Sequence, residues 1–226
     1  MMANKIEWEP FEGGVQITKL VSTDRDIIVP ETVEGMPVIH LGSRFLMGSP
    51  NTGSRSIRIP ASITSFDKDA FSGIMGLRTI RYSGDMDTFN RSRLDTEYDC
   101  RVVCEKDGFS FDFMAGFPMS FPEFDEAILT THVTTKVETA MERMSNPYGL
   151  EERHREGYVS LLRRKVIPMA EHAITSNNPS ELERILSTDI LDNGDLRMLL
   201  GKSVLSGKTG MTSLIMGAIR ERKCGE

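Results

Sequence analysis

Residues 201–210 read GKSVLSGKTG, a mixture of glycine, lysine and hydroxyl side chains that suggests phosphate chemistry. A phosphate-cradling loop places four residues between its first glycine and the following Gly-Lys-Ser/Thr, because that length wraps backbone amides around the anion. Here five residues separate Gly201 from Gly207. Such a loop also follows a strand, whereas Leu196, Leu199, Leu200, Val204 and Leu205 recur at helical spacing over 195–206. Fewer than 20 residues remain beyond it, too few for a strand carrying a magnesium-binding carboxylate. The stretch is expected to be a helix end, a turn and a helix start.

The other chemistry-bearing residues are scattered. His40, His132, His154 and His172 form no HxxxH or HExxH spacing, so no metal site is expected. No GxSxG elbow occurs, and a Ser-His-Asp arrangement cannot be read without a fold. In CRVVC, alternation places Cys100, Val102 and Cys104 on one face of a strand, where the thiols act as small apolar side chains. The 14 methionines are spread along the chain, as expected of core gap-filling. No cofactor and no catalytic constellation is expected, and the chain reads as non-enzymatic.

The totals agree with a folded, water-soluble chain. Its 226 residues can bury a real core, with 39% hydrophobic and 27% charged side chains. The net charge of −6 counts against a general nucleic-acid binder. Residues 1–150 carry 15 Lys/Arg against 22 Asp/Glu, and 151–226 carry 12 against 11. No secretory signal is visible in MMANKIEWEPFEGG, and no apolar run approaches the roughly 18 residues of a membrane span. Three cysteines, Cys224 being the third, fit a reducing compartment, so a cytoplasmic protein without a membrane partner is expected.

The strongest pattern is an internal repeat. Arg25-Asp26-Ile27-Ile28-Val29-Pro30, Arg55-Ser56-Ile57-Arg58-Ile59-Pro60 and Arg78-Thr79-Ile80-Arg81-Tyr82-Ser83 align as short β segments returning every 23 to 30 residues. Apolar clusters follow the first two with matching spacing: Val38–Leu41 then Phe45-Leu46, and Ile63–Phe66 then Ala70-Phe71. Repetition of this kind suggests a solenoid whose coils bury their apolar positions against one another.

IRIPASITSFDKDAFSGIMGLRTIRY (57–82) resembles the BspA-like class of leucine-rich repeats, with Phe66-Asp67 where that family usually carries Ile-Gly. Residues 13–42 resemble its leading coil, including the VxGxPV insertion at 33–38. The resemblance spans roughly 11–84 and implies two coils and part of a third, with Trp8 and Phe11 as candidates for a cap. The far end falls to 94–146, where GFSFDFMAGFPMSFPEF reads as an irregular wrapping segment and one helix is expected from about Glu123, its stripe formed by Leu129, Val133, Val137, Ala140/Met141 and Met144.

Asn146-Pro147-Tyr148-Gly149 is the expected boundary. Beyond it the pattern is helical, with Pro168 expected to kink or split one helix. Asn178 aligns with Gly207 at an offset of 29, as do Leu182, Ile185 and Leu186 with Met211, Leu214 and Ile215. SVLSGKTGMTSLIMGAIRERK resembles the helical half of an ankyrin repeat, and the whole resembles microbial proteins in which BspA-like coils precede a short ankyrin-like tail. The expected fold is α+β: a short leucine-rich-repeat β-solenoid with caps over 1–120, a connecting helix over 121–146 and an ankyrin-like helical bundle over 147–226.

Alternation turns Ile57 and Ile59 inward, so Ser56 and Arg58, Thr79 and Arg81, and Asp26 and Ile28 face outward. Arg58 and Arg81 are then stacked neighbours, and Arg55, Arg78 and Arg25 form a second row at the strand entrance. Two readings follow: a solvated basic stripe, or a patch for an acidic partner. Both resemblances imply a protein-interaction module whose partner and oligomeric state the sequence does not name. Anion or nucleic-acid binding through the arginines is the alternative.

Overall fold

The apolar alternation of the first half builds two parallel sheets that the chain visits in turn. The computed structural model describes residues 5–50, 53–131, 137–188 and 190–223. Its elements are β1 (Lys5–Phe11), β2 (Gly14–Val21), β3 (Asp26–Ile28), β4 (Thr32–Val33), β5 (Met36–Leu41), β6 (Arg55–Ile59), β7 (Ser65–Phe66), β8 (Leu77–Tyr82), α1 (Met86–Arg91), β9 (Cys100–Cys104) and β10 (Phe109–Phe113), then α2 (Glu123–Thr130), α3 (Val137–Ser145), α4 (Glu152–Thr175), α5 (Pro179–Leu186), α6 (Asn193–Leu205) and α7 (Thr209–Lys223). The chain divides at Thr131/His132 into two compact units. Among the described residues no helix is long and apolar enough to cross a membrane.

The first unit is a β-solenoid. One sheet joins β2, β5 and β7 in parallel, and the other joins β3, β6, β8 and β9 in parallel. Four parallel strands in the second sheet mean about four coils, not the two and a fraction read from the repeat. The fourth was missed because α1 stands where its strand of the first sheet would be, which erases the pattern. Ile17, Leu41 and Phe66 stack inward from one sheet, and Ile27, Ile57, Ile80 and Val102 from the other. Phe45 and Phe71, with rings 5.9 Å apart, fill the bend between the sheets.

Parallel sheets leave unpaired edges, and antiparallel hairpins close one end of each. β1 folds back on β2 at one end of the first sheet, and β10 on β9 at one end of the second. Phe11 on β1 stacks against His40 with ring centroids 4.5 Å apart. Phe109–Phe113 is therefore a regular strand, not irregular wrapping: FSFDF alternates, with all three phenylalanines buried. They meet Phe121 and Phe124 in edge-to-face and tilted pairs 5.2–6.1 Å apart, and Phe111 meets Phe113 edge-on at 4.9 Å. Aromatic mass supplied by a cap replaces the next coil.

α1 is fixed at its start by Asp85, whose carboxylate accepts the Thr88 amide at 2.8 Å and the Lys106 ammonium at 2.8 Å. The Lys106 bond first, and then Thr88, hold the Asp85 carboxyl well below the usual carboxylate range. A lowered folded-state value stabilises the fold above the unfolded carboxyl pKa, near 3.9, and that contribution disappears as pH falls towards the folded value. Asp85→Ala is expected to cost about 1 kcal/mol at pH 7. Its deficit against wild type should shrink below about pH 4, read from urea midpoints at pH 7 and pH 2.5. A deficit independent of pH contradicts the assignment.

The expected connecting helix over 121–146 is two helices, divided between the units: α2 belongs to the first and α3 to the second. Val133 and His132, within the threonine-rich segment, lie outside the described residues. The turn at Asn146–Gly149 is held by Arg143, which is fully buried and donates to the carbonyls of Asn146 (2.7 Å) and Tyr148 (3.0 Å).

The second unit stacks two helix-turn-helix pairs, α4 on α6 and α5 on α7. α4 runs unbroken through Pro168, which the sequence suggested would kink or split it. Pro168 is exposed, so the Arg164 carbonyl that loses its intrahelical donor can bond to water. The turns match at an offset of 30, not 29. Asn177 (φ 56°) and Gly207 (φ 66°) are the equivalent left-handed residues, with Asn178 N bonded to Ala173 O and Lys208 N to Ser203 O. Asparagine tolerates that conformation better than most side chains and glycine adopts it freely, which hid their equivalence. α6 also differs from its apolar pattern: Leu196 and Leu199 are buried, while Val204 and Leu205 are 60% and 89% exposed. Ser203 is buried instead, its hydroxyl 3.0 Å from that of Thr212 on α7.

Candidate interaction surface

The outward face of the second sheet carries two rows of side chains. Strand register sets Ile28, Arg58, Arg81, Val103 and Ser110 in one row and Asp26, Ser56, Thr79, Arg101 and Asp112 in the other. Four of the five side chains of the second row are bonded to one another in pairs. Ser56 donates to Asp26, and Arg101 donates to Asp112 at 2.8 Å and to Ser110 at 3.0 Å. Arg58 and Arg81 are exposed, directly paired across β6 and β8, and make no hydrogen bond or ion pair among the described residues. Beside them Ile28 is 65% exposed. Two like charges about 5 Å apart in water repel by only roughly 0.8 kcal/mol, so the fold tolerates the pair.

The expected second row of Arg25, Arg55 and Arg78 does not form. Arg55 is 2% exposed. Its guanidinium donates to the carbonyls of Ser22 (2.6 Å), Asp24 (2.9 Å) and Pro50 (3.3 Å). Desolvation lowers its pKa, with the Asp24 charge opposing. The cause is alternation itself: Arg55 shares the inward parity of Ile57 and Ile59. It pairs with Leu77, not Arg78, because a bulge lets Ser56 pair with Thr79. Arg78 is the extra residue, turned outward with its guanidinium 5.3 Å from the centre of the Tyr98 ring. Arg25 lies before β3 and is exposed. Of the five arginines, only Arg58 and Arg81 stand together and unengaged.

Folding also assembles a group that the sequence concealed. His40 Nδ1 lies 2.7 Å from Ser65 Oγ, and His40 Nε2 lies 3.4 Å from Asp67 Oδ1. The constellation resembles a nucleophilic triad only in composition. The Phe11 ring covers the imidazole, while Asp67 is half exposed and its other oxygen accepts the Ser43 amide at 2.8 Å. A catalytic orienting carboxylate is buried against its histidine. This group instead pins the β1 cap to neighbouring coils.

The thiols of Cys100 and Cys104 are free and buried, facing inward with Val102. Burial pushes each up to about 12, so neither is a thiolate near neutral pH. In a Cys224→Ser background, the native protein is expected to release less than about a tenth of the thiol signal that it gives in denaturant when treated with Ellman's reagent at pH 8. Stoichiometric labelling of the folded protein contradicts this. At 201–210, Gly201 to Leu205 complete α6, Gly207 turns the chain, and Thr209 begins α7. A helix precedes the turn where a phosphate loop needs a strand.

No protein-family model and no curated protein matches the chain. Among solved structures, a leucine-rich repeat protein of T. pallidum (TpLRR) is similar at 22% sequence identity, over 35% of this chain and 41% of that one, with a TM-score of 0.26. The chain thus spans less than half the length of that protein, and the solenoid assignment rests on the strand register above.

Proposed function

We propose that the protein is a non-enzymatic interaction module of the cytoplasm, with a BspA-like leucine-rich-repeat solenoid and an ankyrin-like helical tail, and that it grips another protein on the outward face of the second sheet. The observation that carries the reading is the unengaged Arg58–Arg81 pair beside exposed Ile28, on a face where Arg101 is paired with Asp112 and Asp26 accepts from Ser56. A stacked parallel sheet offers a firm, repetitive surface suited to such binding. Asp26 and Asp112 at the ends of the second row, with the net charge of −6, oppose a polyanion there. The ankyrin-like assignment is supported by the repeated left-handed turn and the α4–α6, α5–α7 stacking.

The test is affinity capture from native cell extract by wild type and by Arg58→Ala/Arg81→Ala, with Arg55 left intact. A protein retained by wild type and lost by the equally stable variant supports the reading. Identical captured sets overturn it.

A further inference from the structure

Resting on that reading, the geometry points to the chemistry of the partner: we infer an extended segment with the pattern apolar-x-acidic-x-acidic, lying across the coils with its apolar side chain on Ile28 and its carboxylates on Arg58 and Arg81. Three observations define it. First, Ile28, Arg58 and Arg81 occupy one row on adjacent parallel strands, about 4.8 Å apart at each step. Alternate side chains of an extended segment lie roughly 6.6 Å apart, and splayed arginine side chains cover the difference. Residues i, i+2 and i+4 therefore meet the three positions in order.

Second, the charges are complementary, and among the described residues the unpaired cations within the two rows are Arg58 and Arg81. Arg101 is occupied by Asp112 and Ser110, and Arg78 leans on Tyr98. A longer acidic run would meet Asp26 or Asp112, which bound the neighbouring row. Guanidinium groups recognise carboxylates through paired donors, so each arginine supplies direction as well as charge. Third, the apolar end is marked. Ile28 is 65% exposed on the three-residue strand at the edge of the sheet, while Val103 at the other end of the pair is partly buried. That asymmetry sets the direction, with the apolar residue at the β3 side.

The test is fluorescence anisotropy of the full chain with a fluorescein-labelled decapeptide containing Leu-Ser-Glu-Ser-Glu. Binding on the order of 10⁻⁵ to 10⁻⁴ M is expected at low salt. Affinity should fall at least tenfold for the Leu-Ser-Gln-Ser-Gln peptide, and equally for Arg58→Ala/Arg81→Ala with the acidic peptide. Ile28→Ser should weaken binding several-fold without changing its salt dependence, since only the arginine contacts are screened. Absence of binding to wild type, equal binding of the two peptides, or undiminished binding by the double variant overturns the inference. The capture experiment separates the two claims. Partners lost by the double variant, with no peptide binding, leave the face standing and remove the acidic motif. Unchanged partners remove both.

Discussion

Arg55→Ala is expected to lower the stability of the solenoid unit by about 3–5 kcal/mol. The guanidinium is buried and gathers carbonyls from Ser22, Asp24 and Pro50. Removing it leaves these acceptors facing a void, each worth about 1–3 kcal/mol if unsatisfied, partly offset because a buried cation no longer needs to be desolvated. Against a total of about 5–15 kcal/mol, that is a large share. Trp8 is the only tryptophan and lies in β1, so its fluorescence reports urea unfolding of this unit. Arg58→Ala, on an exposed side chain without a hydrogen bond or ion pair among the described residues, should stay within about 0.5 kcal/mol of wild type. Equal effects of the two substitutions contradict the assignment of Arg55 as a structural residue. The distinction matters in practice, since a binding test that removes Arg55 with the other arginines confounds unfolding with lost contact.

The second large effect is expected at the β10 cap. Phe111 has no exposed surface, and its ring meets Phe113, Phe124 and Phe121 at 4.9, 5.2 and 5.4 Å. Phe111→Ala removes a large buried side chain from rings that cannot all collapse into the space, at a cost of about 3–5 kcal/mol. Phe117, 8% exposed and 6.0 Å from Phe124, sits at the margin of the same cluster. Phe117→Ala should cost roughly half as much. The Trp8 urea transition of each variant decides the order. If Phe111→Ala is as mild as Phe117→Ala, β10 is an ornament on the solenoid and not its closure.

The repeating strands were legible because period-two alternation is local. It correctly paired Ser56 with Thr79 and Arg58 with Arg81, and it turned Ile57 and Ile80 inward. The error over Arg55 came from aligning arginines by type across coils, when strand parity alone sends Arg55 to the interior. A bulge, which no residue pattern announced here, then displaced Arg78 from it. FSFDF carried the same alternation as the recognised strands, but the glycines and prolines around it masked the signal. In the helical unit, the repeat was visible while its register was off by one, because Asn177 and Gly207 share a backbone conformation rather than a side chain. The His40–Ser65–Asp67 group was beyond reach, since 25 residues separate His40 from Ser65 and only sheet register brings them together.

The most direct measurement of the central claim is site-specific photocrosslinking in native extract. A benzophenone side chain is placed at Thr79, in the row beside Arg58 and Arg81, or at Leu205, exposed at the end of α6. The account predicts a discrete covalent adduct from position 79, suppressed by Arg58→Ala/Arg81→Ala, and none from position 205. An adduct formed from position 205 alone contradicts it and assigns binding to the helical unit.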